Sequence, residues 1–219
     1  MKKEYYLIVE NTHLKGRRSE VFFKMIPFSL IEQKKVTNNL VIVLPGAGYT
    51  TQAPLLRFTT GVFYNKGFDV LHINYTFNRQ ELSELSEEVF ARDVQLVIRN
   101  AIKSKKYSNY YIVAKSIGTI ALSHLLNDTM FKDAKVVWLT PLLQRDVVFN
   151  AMVNSDHKGL CIIGDEDSCF IAERFERLKD NPNLICKIVD GGNHSLELDV
   201  DPIKSIDILK SVIVDISEF

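Results

Sequence analysis

The stretch Tyr110-Tyr-Ile-Val-Ala-Lys-Ser-Ile-Gly-Thr-Ile-Ala-Leu122 changes its hydrophobic period half-way along. Tyr110 to Ala114 is a continuous aromatic and aliphatic run, the pattern of a strand buried on both faces. From there Ile117, Ile120, Ala121, His124 and Leu125 repeat with helical spacing, which gives the second half one apolar face. Ser116 stands at the junction, with Ala114 two places before it and Gly118 two places after. This is the pattern of a sharp strand-to-helix turn that exposes a serine hydroxyl, and the small flanking residues are needed because strand and helix backbones nearly touch there. The plainer alternative is a serine that only caps the helix.

Working outward, runs of the same strand-like character occur at Leu40 to Leu44, Asp69 to Asn74, Lys135 to Leu139, Leu160 to Ile163 and Leu184 to Val189. An earlier pair, Tyr5 to Val9 and Glu20 to Leu30, is separated by a polar stretch containing Gly16 and reads as two paired strands. Helical periods fall between the runs, as at Val94, Val97, Ile98 and Ala101. A last helix is expected after Asp201-Pro202, an N-cap followed by proline at the first helical position. Such alternation predicts an α/β fold: a mostly parallel twisted sheet of seven to eight strands with helices on both faces, ligands binding at the carboxyl ends of the strands. No repeat or linker interrupts it, so residues 1–219 are expected to form one domain. Between Pro141 and Lys158 there is room for one helix and no lid domain.

The 219 residues carry 27 Lys+Arg against 27 Asp+Glu, and 46% are hydrophobic. Balanced charge without like-charge blocks argues against nucleic acid or an anionic membrane as a partner. A chain of this length buries enough surface to be stable without metal or disulfides. Cys161 and Cys186 sit in strand-like runs and Cys169 follows an acidic loop, so all three are expected to be free thiols in a reducing compartment. Tyr5 to Val9 is too short for a signal peptide, and no apolar run approaches a membrane span. A cytoplasmic protein with a small-molecule substrate is the expectation.

A serine hydroxyl is a weak nucleophile unless a base lies within hydrogen-bond reach and a third group orients that base. Two later loops can supply them. Gly164-Asp165-Glu166-Asp167 follows one strand run, and Gly191-Gly192-Asn193-His194 follows the last, so both should lie on the sheet edge where Ser116 sits. Of the five histidines, His194 has the strongest case, because its glycines let the loop turn back sharply. His72 lies mid-strand, His124 on the apolar stripe of a helix, and His13 and His157 in polar loops. The three carboxylates remain rivals on this reading. A metal site is not expected, since the acidic triplet lacks histidine partners and calcium-loop spacing.

In motif, order and spacing the chain from Leu40 onward resembles the alpha/beta-hydrolase family. The resemblance implies Ser116 as nucleophile, His194 as base within a Gly-x-x-His pattern, and Asp167 as the acid of a Gly-x-x-Asp pattern, with Asp165 and Glu166 as alternatives. It implies an oxyanion hole from the backbone N–H groups of Ile117 and of Ala47, with Gly48 the alternative. Here Pro45-Gly46-Ala47-Gly48-Tyr49 is similar to the family's His-Gly-x-Gly loop, with proline in place of histidine; Ala114 likewise replaces the usual first glycine of the serine motif. Read as a phosphate loop, the same residues lack the third glycine and the lysine. Gly48, Tyr49, Tyr75 and Lys115 could line a substrate pocket, although an exposed turn lysine is the simpler account of Lys115. The compact, lidless form resembles the dienelactone-hydrolase-type branch, and implies an esterase acting without cofactor on a small ester or thioester. A hydrolase-fold protein that binds without catalysis, and an acyltransferase using the same three residues, are the alternatives.

Overall fold

The structure, a computed structural model, describes residues 2–15 and 18–219, with side chains at residues 5–8 and from Ile26 onward. Eight strands, β1 (Lys2–Lys15), β2 (Arg18–Ile31), β3 (Asn39–Leu44), β4 (Asp69–Ile73), β5 (Asn109–Lys115), β6 (Lys135–Leu139), β7 (Gly159–Gly164) and β8 (Leu184–Val189), form one sheet. Its order is β1-β2-β4-β3-β5-β6-β7-β8. The hairpin β1–β2 is antiparallel and joins β4 antiparallel; every pairing from β4 through β8 is parallel. The mostly parallel sheet expected from the sequence is therefore present, with an antiparallel hairpin at one edge. Gly16, expected in the turn of that hairpin, lies outside the described residues, and His13 falls within β1 instead of in a loop.

The helices are α1 (Pro54–Asn65), α2 (Arg79–Ser83), α3 (Glu87–Ile102), α4 (Gly118–Leu125), α5 (Asp146–Asn154), α6 (Ala172–Leu178) and α7 (Pro202–Glu218). Successive strand residues point to opposite faces, and the core divides accordingly. Leu40, Ile42 and Leu44 of β3 share one apolar cluster with residues of α3 to α6, whereas Val41 and Val43 share the other with α1 and α7. Both faces being covered, the central strands carry no polar alternation. At the edge, where among the described residues β8 pairs with β7 alone, the strand departs from the fully buried pattern: Ile185 and Ile188 are exposed. Asp201 caps α7, its side chain accepting from the Lys204 N–H at 3.0 Å, as the Asp-Pro pair predicts. By contrast α1 begins at Ala53-Pro54 with no side-chain cap, so little in the local sequence announces it. Among the described residues no helix is long and apolar enough to cross a membrane.

Only α5 lies between β6 and β7, so no lid is inserted there. The closest approach between helix and sheet is at the start of α4. A Cβ added to Gly118 would lie 2.5 Å from the carbonyl oxygen of Leu44 in β3 and 2.9 Å from the Tyr75 hydroxyl. Gly118→Ala must therefore push α4 off the sheet. It is expected to lower the unfolding free energy by about 1–3 kcal/mol, read as a lower urea midpoint at unchanged slope; an unchanged midpoint would contradict so tight an approach.

Candidate active site

Strand β5 ends at Lys115 and α4 begins at Gly118, which leaves Ser116 and Ile117 to turn the chain. Ser116 takes φ 52°, in the left-handed region that L residues enter only when surrounding structure holds them there. The hold is visible: the Ser116 N–H donates to Leu139 at the end of β6 (3.0 Å), and its carbonyl accepts from the N–H and hydroxyl of Thr119 (2.9 and 2.5 Å). The side chain is thereby turned out at the carboxyl edge of the sheet.

Two other loops arrive at the same edge. Asp167 follows β7 in a short turn, its N–H donating to the Gly164 carbonyl at 3.3 Å. His194 follows β8 in a loop that pivots on Gly191, which has φ 66°. The loops meet backbone to backbone, since a Cβ on Gly164 would lie 1.8 Å from the carbonyl oxygen of Gly192. As a result His194 Nε2 lies 2.8 Å from Ser116 Oγ, and its Nδ1 lies 2.8 and 2.9 Å from the two carboxylate oxygens of Asp167. Asp167 is buried and also accepts from the Cys169 N–H (2.8 Å), which fixes its carboxylate plane. Its rivals are elsewhere: Asp165 and Glu166 are exposed, and Asp165 accepts from the Gly191 N–H at 2.7 Å, bracing the histidine loop from outside. The other described histidines are distant in role, His72 facing Thr60 (2.8 Å) and His157 facing Phe131 and Ser155 (2.9 and 3.1 Å).

The loop after β3 closes the site. Gly46 packs against Ser116, where an added Cβ would come within 3.4 Å of the serine Cβ, and Tyr75 donates its hydroxyl to the Pro45 carbonyl (2.5 Å) from beneath. Among the described residues the N–H groups of Ala47 and Ile117 donate to no protein acceptor, and both residues line the same cavity as Ser116. Gly48 is exposed and does not line it.

That cavity, about 210 Å³, is walled by Leu82, Leu85, Ile120 and Leu142, with Glu87 and Arg145 paired at 3.5 Å. None of the four residues expected to line a pocket, Gly48, Tyr49, Tyr75 and Lys115, lines this one. Tyr75 is buried beneath the loop. Tyr49 accepts at its hydroxyl from the Leu55 N–H (3.1 Å), supplying the cap that α1 lacks. Lys115, expected to be exposed, is entirely buried, because the chain reverses at Ser116 and turns the preceding side chain back under the histidine loop. The walls come instead from α2, the chain leading into α3, Ile120 of α4 and the segment leading into α5. The signal in the sequence was the apolar pair Leu82 and Leu85 in the otherwise polar stretch Arg79 to Glu88. A larger cavity, about 460 Å³, lies behind the histidine loop against α1 and α7 and is not lined by Ser116, Ala47 or Ile117.

No protein-family model and no curated protein sequence matches the chain. Its structure is similar to that of an alpha-beta serine hydrolase homologue from Coxiella burnetii, at 12% identity over 94% of this chain and 96% of that one, with a TM-score of 0.67. It is similar to Est1E from Butyrivibrio proteoclasticus, solved with ferulic acid bound (13% identity, 89% and 94% coverage, TM-score 0.69). It is also similar to an alpha/beta serine hydrolase without lid from Xanthomonas campestris (13% identity, 96% and 94% coverage, TM-score 0.63). The chain has the alpha/beta-hydrolase fold.

On this hydrolase fold the electrostatics of the three side chains are tied together. The bond to Asp167 raises the His194 imidazole to about 9; the Cys169 thiol adds to this, while burial and the Lys115 charge oppose it. Burial alone would raise Asp167, but its bonds from His194 and the Cys169 N–H, with the charges of His194 and Lys115, hold it below the usual carboxylate range. Donor atoms of Asp167, Cys169 and His194 lie within 4.8 Å of one another, the spacing of a chelate. Yet the Nδ1 and carboxylate donors already share a hydrogen bond.

The sign of the pH dependence follows. His194 binds its proton more tightly folded than unfolded, so the stabilisation is fully present below about pH 6.5 and is lost as the pH rises through about 9. In an NMR titration the His194 imidazole is expected to titrate well above an ordinary histidine, and Asp167→Asn to return it toward the ordinary value. Asp165→Asn should leave it in place. A shift with Asp165→Asn alone would move the partnership to the neighbouring carboxylate.

Proposed function

We propose that the protein is a serine hydrolase that cleaves a small carboxylic ester or thioester through an acyl-enzyme on Ser116. The observation that carries this reading is the unbroken chain Ser116 Oγ, His194, Asp167, ending at a cavity with two uncommitted N–H donors. In the proposed reaction Ser116 Oγ attacks the carbonyl carbon as His194 Nε2 takes its proton, and Asp167 stabilises the imidazolium at Nδ1. The developing oxyanion accepts from the N–H groups of Ala47 and Ile117, each donor of this kind lowering the barrier by about 3 kcal/mol. His194 then gives its proton to the leaving oxygen or sulfur. Water then attacks the acyl carbon as it loses a proton to the same nitrogen, the bond from the acyl carbon to Oγ breaks, and His194 returns the proton to Ser116 as the acid leaves. The cycle needs no cofactor.

Substrate size is read from the walls. Leu82, Leu85, Ile120 and Leu142 offer an apolar surface to an acyl or aryl group. About 210 Å³ does not enclose a long alkyl chain, so methylenes beyond the cavity gain little of the roughly 0.8 kcal/mol that each would gain on burial. The fold neighbours include Est1E with ferulic acid bound, a small aromatic acid, which supports this size class for the acyl side.

A fluorophosphonate probe is expected to label the wild type at Ser116 and to leave Ser116→Ala unlabelled. Across p-nitrophenyl esters from acetate to palmitate, kcat/KM should peak at short chains. Because imidazolium cannot accept a proton, kcat/KM should climb about tenfold per pH unit below the His194 value and level off above pH 9. Rates rising steadily to palmitate would contradict the small cavity. Absence of both labelling and turnover would favour a binding protein.

A further inference from the structure

Among the described residues Lys115 is the lysine with no exposed surface. Removing an ammonium from water is unfavourable, and an apolar chain of similar length would fill the same space without that cost. Core packing alone therefore does not account for it. Its Nζ donates to the main-chain carbonyl of His194 at 2.6 Å and to Thr140 Oγ1 at 2.7 Å, and lies 4.8 Å from the centre of the Tyr49 ring. Thr140 itself takes φ 44°, a left-handed conformation at the end of β6. The chain neighbour of Lys115 is Ser116. Two consecutive residues at one strand end thus grip the histidine at both ends, Ser116 Oγ at Nε2 and Lys115 Nζ at the carbonyl. The other ties of the loop run from Asn193 to Ser195, Glu197 and Asp199, from Gly191 to Asp165 and from Glu166 to the Gly192 carbonyl, and among the described residues none reaches the His194 carbonyl.

We propose that Lys115 is a positioning residue that locks the His194 loop to the strand presenting Ser116. The inference rests on the reading of Ser116 and His194 as nucleophile and base. The groups that face Lys115 come from four loops of the edge: Tyr49 after β3, Thr140 after β6, Asp167 and Cys169 after β7, His194 and Glu197 after β8. Facing the imidazole are Ser116, Asp167, Cys169 and Lys115. Burial draws Lys115 down to about 8, below the His194 value, so where the imidazole gives up its proton Lys115 acts through its hydrogen bonds and not through its charge.

The test compares the full-length wild type with Lys115→Met and Lys115→Gln, using p-nitrophenyl acetate from pH 6 to 10 and thermal unfolding. In Lys115→Met the imidazole loses its tether. We expect kcat to fall at least about tenfold with KM within about threefold, and the melting temperature to hold or rise. Lys115→Gln keeps an N–H donor on a neutral chain one bond shorter, and should regain part of kcat. It also serves as the deciding variant if Lys115→Met does not fold. An active wild type with both variants unchanged in kcat would overturn the role of Lys115 alone. So would a loss of activity that merely follows a lowered melting temperature, or one that Lys115→Gln does not partly restore. A wild type that neither turns over ester nor labels with the fluorophosphonate would overturn the underlying reading as well.

Discussion

The tight reversal at Ser116 is the constraint on which the rest of the site depends. A residue with a side chain sits at φ 52°, and it can do so because β6, Thr119 and the bare Cα of Gly118 against Leu44 leave it no other conformation. The reversal aims the hydroxyl outward and, in the same stroke, folds the preceding side chain inward. The solvent-facing Ser116 and the buried Lys115 are two results of one backbone event.

Around that reversal the sheet edge works as a frame. Parallel strands end in step, so the loops after β3, β5, β7 and β8 are delivered to one line, and short glycine-bearing turns keep them from wandering. The contact of Gly164 with Gly192 matters most for the acid and the imidazole, because it brings two loops to backbone contact where any Cβ would part them. Buried polar groups at this edge are matched: Asp167 by His194 and Cys169, Lys115 by Thr140 and the His194 carbonyl. Opposite charges behind the imidazole let a buried carboxylate and a buried ammonium coexist, each easing the desolvation of the other.

The cavity is assembled differently. Its floor belongs to the frame, through Ala47, Ile117 and Ile120, but its outer walls come from the connection between β4 and α3 and from the entry to α5. Those segments carry caps of their own, such as the reciprocal pair of Asn78 and Glu81, while Tyr75 at the start of the first is anchored under the loop after β3.

The sequence by itself determined the alternation of strand and helix, the junction at Ser116, and which loops carry Asp167 and His194. Those features are written in local periodicity and in glycines whose purpose is local. It also narrowed the acid to three neighbours, and the fold resolved which of them meets the imidazole: Asp165 and Glu166 are exposed, Asp165 holding the Gly191 N–H, while Asp167 is buried against His194. Only the tertiary structure decided the fate of Lys115, Tyr49 and Tyr75 and the identity of the pocket walls. Leu82 and Leu85 lie more than thirty residues before Ser116, and Lys115 lies 79 residues from the carbonyl it holds. A residue's own neighbours in sequence fix its backbone conformation, but its burial and its partners are set by chain segments brought alongside by the sheet, and no local pattern carries that information.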